Sequence, residues 1–159
     1  MAIKLLLGSG IFALNVVVQV VAVMALVYFL QGRNRLGLLD GSFWFRSGAL
    51  SGAMLILFAG HLLQVSTWAL LFKRLGQFED FETAFYHSAV NFSSLGYGDI
   101  VMQDEWRILG ALEAAGGILM FGLSTGLGFA VINKYLRRPS AERVDHPAPD
   151  SGPSSDPSR

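Results

Sequence analysis

The chain has 159 residues, of which 52% are hydrophobic and 15% charged, with 12 basic and 12 acidic side chains. A mean hydropathy of +0.46 is higher than soluble domains of this size usually show, and it predicts a membrane protein. The balanced charge indicates no nucleic-acid partner, and the absence of cysteine excludes disulfide scaffolds, thiolate metal sites and cysteine nucleophiles.

The first predicted element is a membrane-spanning helix at the amino end. The run over residues 3–30 is longer than the roughly 20 residues that cross a bilayer as a helix. It is apolar except at three positions: Lys4, Asn15 and Gln19. A signal peptide is the alternative, but its apolar core is typically only about 7–15 residues long. We therefore assign residues 1–32 to an N-terminal transmembrane helix and residues 33–46 to a polar connector on the cytoplasmic side.

The second apolar run, residues 47–72, again has the length of a spanning helix. Gly48 and Gly52 lie on one of its faces, where a neighbouring helix can approach closely. Two polar residues, His61 and Gln64, interrupt the run. We interpret them as side chains that are turned into a helix bundle and hydrogen-bonded there, with metal ligation by the histidine as the alternative.

A shorter amphipathic segment, residues 81–92, lies between the second and third spans. Asp80 is its candidate N-cap, and Glu82 falls in its first turn. Its 12 residues make roughly 18 Å of helix, which enters a bilayer of about 30 Å without crossing it. Backbone beyond such a helix needs the shelter of protein or of a water-filled path. The segment is therefore predicted to be re-entrant.

The third apolar run, residues 108–132, is rich in glycine and contains Glu113 as its only ionisable residue. The tail over residues 139–159 holds all 5 prolines together with many serines, a composition that predicts a disordered segment. The 3 histidines are scattered, and no zinc spacing or nucleophile motif occurs. The chain is therefore predicted not to be an enzyme.

The basic residues predict the orientation of the chain, because they concentrate on the cytoplasmic side of membrane proteins. With three spans, the connector and the tail share one side. That side holds Arg33, Arg35, Arg46, Lys134, Arg137, Arg138 and Arg143, against Lys4, Lys73, Arg74 and Arg107 on the other. We expect a multi-pass protein of the cell membrane with its N-terminus outside, its C-terminus in the cytoplasm, and a re-entrant segment that enters from outside.

The stretch after the short helix carries the most specific motif. It reads Ser-Leu-Gly-Tyr-Gly-Asp over residues 94–99 and resembles the Thr-Val-Gly-Tyr-Gly-Asp selectivity filter of the potassium channel family. The resemblance covers roughly residues 47–136. It implies an all-α membrane fold with a pore domain over residues 47–138, consisting of an outer helix, a pore helix, a filter strand and an inner helix. The first span is then an additional N-terminal helix.

The resemblance also implies the ion chemistry. Main-chain carbonyls would replace the hydration shell of permeant potassium ions. The carbonyl ligands would come from Ser94, Leu95, Gly96 and Tyr97, with the Ser94 hydroxyl added at the innermost ring. Gly98 and Asp99 would support the filter, and the Tyr97 side chain would point into an aromatic collar behind it. Because a filter needs four strands and each chain supplies one, the expected assembly is a homotetramer in the lipid bilayer.

The motif departs from the family pattern in two filter residues. Ser94 stands where the family has threonine and Leu95 where it has valine, so both positions lose a β-branched side chain. Tyr86 and His87 stand where the family often has tryptophan. A weakly selective channel for monovalent cations on the same scaffold is therefore one alternative, and a nonconducting membrane subunit is another.

Three further residues of the third span are candidates for a role in the pore. A carboxylate at membrane depth is costly, so Glu113 is expected to support the filter by bracing the short helix through His87 or Ser88. A protonated side chain, or one that faces the ion path, are the alternatives. Gly116 and Gly117 fall about where the potassium channel family has its hinge glycine, with close helix packing as the alternative role.

Overall fold

The computed structural model describes residues 1–36 and 43–135, and in this part of the chain all the regular secondary structure is helical. The helices are α1 (Ala2–Arg35), α2 (Phe43–Arg74), α3 (Phe81–Phe92) and α4 (Arg107–Tyr135). Helices α1, α2 and α4 are long and apolar enough to cross a membrane, whereas α3 has only 12 residues. The predicted all-α class, with three spans and one short helix, is confirmed.

The long helices extend beyond their predicted ends. α1 continues to Arg35 and α2 begins at Phe43, so both ends of the connector predicted over residues 33–46 are helical. Only the hydrocarbon layer demands apolar side chains, and basic residues in a last helical turn interact favourably with the helix dipole. Apolar runs therefore underestimate helix length. The middle of the connector and the tail predicted over residues 139–159 lie outside the described residues.

The three long helices form a bundle in which α1 and α4 run parallel. Near the start of α1, the Lys4 ammonium lies 5.3 Å from the ring centroid of Trp106, which immediately precedes α4. Midway along α1, Gln19 donates a hydrogen bond to Ser124 of α4. The first residues of both helices consequently lie at the same end of the bundle.

α2 runs antiparallel to its two long neighbours. Gly52, early in α2, packs against the ring of Phe29 near the end of α1, and Gly60 further along packs against Ala22. These are contacts of the kind expected where small residues let two membrane helices approach. The face of α2 that carries Gly52 is therefore occupied by α1.

Two clusters of buried apolar side chains hold the bundle together. The cluster far from α3 joins all three spans through Leu26, Leu30, Ala49, Ala53, Leu57 and Val131. The cluster beside α3 is dominated by large rings and contains Val65, Trp68, Phe72, Phe92, Met102, Leu109 and Met120. Lipid tails are as apolar as these side chains, so the clusters stabilise the bundle through van der Waals packing more than through exclusion of water.

Helix α3 begins at the predicted cap. The carboxylate of Asp80 accepts a hydrogen bond from the backbone N–H of Thr83 at 2.7 Å and another from the Thr83 hydroxyl at 2.8 Å. These bonds favour the ionised form and lower the pKa of Asp80. An anion at the N-terminus also complements the helix dipole. The start of the short helix therefore follows from its local sequence.

Candidate functional site

Helix α3 ends about a third of the way along α4. The carbonyl group of Phe92, the last residue of α3, lies against Gly117 so closely that a Cβ added to this glycine would overlap it. Gly117 is ten residues into α4, which at about 1.5 Å per residue is roughly 15 Å from its start. A hydrocarbon layer is about 30 Å thick. Measured from the start of α4, the short helix therefore ends at a distance of about half that thickness, which is consistent with a re-entrant pore helix.

The chain beyond α3 turns back and is bonded to the end of that helix. The amide of Ser94 donates to the carbonyl of Asn91 at 2.8 Å, and the amides of Leu95 and Gly96 donate to the carbonyl of Val90 at 3.0 and 3.4 Å. The last carbonyls of a helix lack partners within the helix. The first residues of the candidate filter therefore complete the hydrogen bonding of α3, which ties the strand to the helix.

Backbone conformation alternates along this strand. The φ angles of Ser94, Gly96 and Gly98 are positive, at 60°, 58° and 73°, while the intervening Leu95 and Tyr97 do not have positive values. When positive and negative φ angles alternate along a strand, successive carbonyl groups point to the same side. In an ordinary strand successive carbonyl groups point to opposite sides. Glycine adopts positive φ readily, as expected for two of these positions. Ser94 is the exception, because a serine in this conformation is strained.

The candidate filter is exposed within a single chain. Every residue over positions 93–99 is solvent accessible, including large side chains such as Leu95 at 58% and Tyr97 at 67% of their full exposure. Adjacent apolar side chains of this size mark a surface that other molecules cover. The residues predicted to bind ions therefore lie together on an accessible edge of the bundle.

Three side chains of α3 hold the last residue of the motif and the residue that follows it. The Tyr86 hydroxyl lies 2.7 Å from a carboxylate oxygen of Asp99. His87 Nδ1 lies 2.8 Å from the carbonyl oxygen of Ile100, and Asn91 lies 2.8 Å from His87 Nε2. A carbonyl only accepts, so Nδ1 carries the hydrogen and Nε2 accepts from the Asn91 amide. Tyr86 and His87 thus support the strand by hydrogen bonds rather than as part of a tryptophan collar.

These contacts shift the acidity of the groups involved. The hydrogen bond donated by Tyr86 lowers the pKa of Asp99 and raises the pKa of Tyr86 itself. Burial lowers the pKa of His87, because a charged imidazolium loses hydration there. At neutral pH the site therefore combines an ionised Asp99 with an uncharged His87.

Glu113 of α4 is buried behind α3, where it contacts the hydroxyl of Ser88. The same hydroxyl lies 3.0 Å from the carbonyl oxygen of Val65 in α2. A serine has one hydrogen to donate and Val65 can only accept, so both contacts are hydrogen bonds only if Glu113 donates to Ser88. The contact lies where bracing through Ser88 was expected. The other expected partner, His87, is bonded elsewhere.

The two candidate hinge glycines both lie in tight contacts. Gly117 faces the backbone of Phe92, and a Cβ at Gly116 would lie 3.0 Å from the ring of Phe12 in α1. The packing role of these glycines is therefore visible in the structure, while a hinge at either position remains a prediction.

The sequence analysis missed the part that Asn91 plays. Its four-residue spacing from His87 places both side chains on one face of α3, and that spacing could have identified the pair. No sign in the sequence indicated that Ser88 would also contact the backbone of Val65, because these two residues belong to different helices.

Comparison with known proteins identifies one matching family. A family model described as "Ion channel" matches residues 53–134, which is slightly more than half of the chain. The matched region begins in α2 and ends in α4, so it includes α3 and the candidate filter but excludes α1. No curated protein and no solved structure matches the chain.

The contact between Phe92 at the end of α3 and Gly117 of α4 yields a first prediction. Replacing Gly117 with alanine places a methyl group on the Phe92 carbonyl, which belongs to the backbone and cannot rotate away. We expect Gly117→Ala to destabilise the protein by about 1–3 kcal/mol, the usual range for overpacking. The measurement is reversible unfolding in mixed micelles. Gly10→Ala is the matched control, because nothing lies within 4 Å of its new Cβ. Equal stability of the two variants would contradict the packing described.

The Glu113 contact yields a second prediction. We expect Glu113→Gln to unfold much like the wild type, because the amide can still donate to Ser88, whereas Glu113→Ala removes the donor and costs about 1–3 kcal/mol. The same unfolding assay measures both variants. In a double-mutant cycle with Ser88→Ala, the effects of Glu113→Ala and Ser88→Ala should be non-additive. Equal destabilisation by glutamine and alanine would show that a carboxylate charge is required instead.

Proposed function

The chain belongs to the ion channel family, and we propose that it forms a homotetrameric pore through which potassium ions cross the cell membrane selectively and passively. The observation that carries the proposal is the succession of a 12-residue helix that ends against Gly117 of α4 and a Gly-Tyr-Gly strand of alternating φ bonded to its end. Membership of an ion channel family also agrees with the prediction that the chain is not an enzyme.

In this proposal the permeant ions exchange their water for main-chain oxygens. Carbonyl groups of Ser94, Leu95, Gly96 and Tyr97 would coordinate them, with the Ser94 hydroxyl at the inner end. The C-terminal end of α3 would direct its partial negative charge toward the entering cation. The bonds from Leu95 and Gly96 amides to Val90 support this role, because they orient the first peptide groups of the strand.

Assembly follows from the single filter strand in each chain. Carbonyls from one strand cannot surround an ion, so four copies are proposed to meet around an axis with their strands facing inward. The exposure of Leu95 and Tyr97 in a single chain supports this arrangement, since neighbouring copies would cover them. The remaining apolar faces of the spans would contact the lipid bilayer.

The proposed orientation places the N-terminus outside the cell and the C-terminus in the cytoplasm. It rests on the larger number of basic residues in the connector and the tail. The contact of Lys4 with Trp106 places the start of α1 at the end of the bundle from which α4 begins and α3 descends. In this orientation the filter mouth opens to the outside.

A weakly selective cation channel is the second candidate, and the conformation of Ser94 favours it. A serine held at a φ of 60° lies outside the comfortable range of an L-residue. The side chain at the next position is leucine and lacks the stiffness of a β-branched residue. A strand that relaxes at these two residues would discriminate less strictly between potassium and sodium.

The reversal potential of reconstituted protein tests the proposal. With potassium inside liposomes and sodium outside, we expect a reversal potential near the potassium equilibrium value. A value near zero would favour the weakly selective channel, and absence of current would favour a nonconducting subunit. Gly96→Ala is the negative control, because an alanine is disfavoured at a φ of 58° and should abolish the current. Leu95→Val restores a β-branched side chain at a residue without positive φ and should sharpen potassium preference.

The filter support predicts a dependence on pH. Burial holds the pKa of His87 below its ordinary value of 6.5, so the support is complete above about pH 6.5 and weakens as the pH falls and Nε2 takes up a proton. We expect the current to decline on acidification from about pH 7.5 to 5.5. Asp99 does not titrate in this range, because its pKa lies below 3.8.

A matched variant identifies the group responsible for this decline. His87→Gln cannot be protonated but keeps a donor for the Ile100 carbonyl, so its current should change much less over the same range. A decline of equal size in both proteins would assign the effect to another group, and a wild-type current that does not change would contradict the prediction.

A further inference from the structure

Four polar side chains from the three long helices form a closed ring of hydrogen bonds inside the bundle. We call them the polar ring: Gln19 of α1, His61 and Gln64 of α2, and Ser124 of α4. All four are buried. Ser124 of the ring lies seven residues further along α4 than Gly117, and therefore beyond the point where α3 contacts α4. Among the described residues, no hydrogen bond joins the ring directly to the candidate filter.

The backbone of α1 determines the direction of the first bonds in the ring. The carbonyl of Asn15 can only accept, and it lies 3.1 Å from Nε2 of Gln64. The same nitrogen donates its second hydrogen to Oε1 of Gln19 at 2.9 Å. The Gln64 oxygen therefore faces Nδ1 of His61 at 3.1 Å, so Nδ1 must carry the hydrogen.

The remaining bonds follow from this assignment. His61 Nε2 is free to accept, and the Ser124 hydroxyl donates to it at 3.0 Å. Ser124 in turn accepts from Gln19 Nε2 at 3.0 Å, which closes the ring. Each member donates to the next in the same sense, and such chains of hydrogen bonds strengthen one another in a medium of low dielectric constant. Both nitrogens of His61 are used, which agrees with its interpretation as a side chain hydrogen-bonded within the bundle.

The ring couples a helix outside the matched family region to a helix inside it. α1 lies outside residues 53–134, yet Gln19 bonds directly to Ser124 of α4. Beyond Gly117, the described contacts of α4 with the other spans are otherwise apolar, such as Met54 against Gly128. At membrane depth no water replaces a broken polar contact, so the ring restrains α4 more specifically than apolar packing does.

We infer that α1 is a positioning element of the pore. Through the polar ring it holds the part of α4 that lies beyond Gly117, and it thereby sets how readily the passage beyond the filter opens. The inference rests on the proposed channel function. Gln19 and Ser124 are positioning residues in this account, since neither touches the candidate filter. Loss of the ring should change how often the pore conducts but leave its ion preference intact.

Single-channel recording of ring variants tests the inference. Gln19→Leu and Ser124→Ala each remove two bonds of the ring, and we expect each variant to change the ratio of open to closed time by about threefold for every bond removed, the size typical of one hydrogen bond between membrane helices. The reversal potential should equal that of the wild type. Ser124→Thr keeps the hydroxyl and should restore wild-type behaviour. Because the open fraction is measured on channels that have folded, a loss of folded protein alone would not alter it.

Thr125→Ala is the matched control. Thr125 adjoins Ser124, but its hydroxyl donates to the Phe121 carbonyl of its own helix at 2.8 Å and makes no bond to α1. The double variant of Gln19→Leu with Ser124→Ala should change the ratio by less than the product of the single effects, because the bond between Gln19 and Ser124 is lost in both single variants. Single variants that behave like Thr125→Ala would overturn the inference.

A cross-link tests the docking of α1 independently of any current. A Cβ at Gly8 would lie 3.8 Å from Cβ of Leu112, which is about the mean separation in disulfides. The chain contains no cysteine, so Gly8→Cys with Leu112→Cys provides the only pair. We expect an intramolecular disulfide in oxidised membranes. Absence of this disulfide would overturn the docking of α1. If the disulfide forms but the wild-type protein carries no current, the channel proposal is overturned, and the positioning role with it. Normal current with inert ring variants would overturn the positioning role alone.

Discussion

A polar group at membrane depth is stabilised by a hydrogen-bond partner within the protein, because the hydrocarbon layer offers none. This constraint accounts for the arrangement of the described chain better than apolar packing does. The spans meet lipid on one side and apolar side chains on the other, so packing alone distinguishes weakly between alternative arrangements. The polar contacts are fewer and more directional, and they determine which residues of α1, α2, α3 and α4 face each other.

The constraint is met at three levels of the bundle. Near the end from which α3 enters, Tyr86, His87 and Asn91 hold the chain after the candidate filter. Behind α3, Ser88 joins the backbone of α2 to Glu113 of α4. Beyond the contact of α3 with Gly117, the polar ring joins all three spans. Each level links a different set of helices, so together they position α3 and α4 from several sides.

The candidate filter contrasts with this well-bonded support. Its first amides are tied to the end of α3, but the side chains of Leu95 and Tyr97 remain exposed in one chain, and Ser94 adopts a strained conformation. A rigid frame around an exposed and strained segment is typical of a functional site, where the surrounding structure stabilises a conformation that the segment would not adopt alone. The frame is built within the chain, whereas the segment would be covered by the other copies of the proposed tetramer.

The sequence by itself determined the elements of this protein, because these follow from local properties. Run lengths identified three spans, and the limits of α3 together with its Asp80 cap followed from the composition of about a dozen residues. The partners of the buried polar groups were decided only by the tertiary structure. Gln19 and Ser124 are 105 residues apart, and the structure decided between Ser88 and His87 as the partner of Glu113. No periodicity within one helix relates such positions, since each pairing depends on how the helices rotate and cross. Three further features arise from the same three-dimensional packing. They are the docking of α1, the positive φ of Ser94, and the contact between Phe92 and Gly117 that leaves no room for a Cβ.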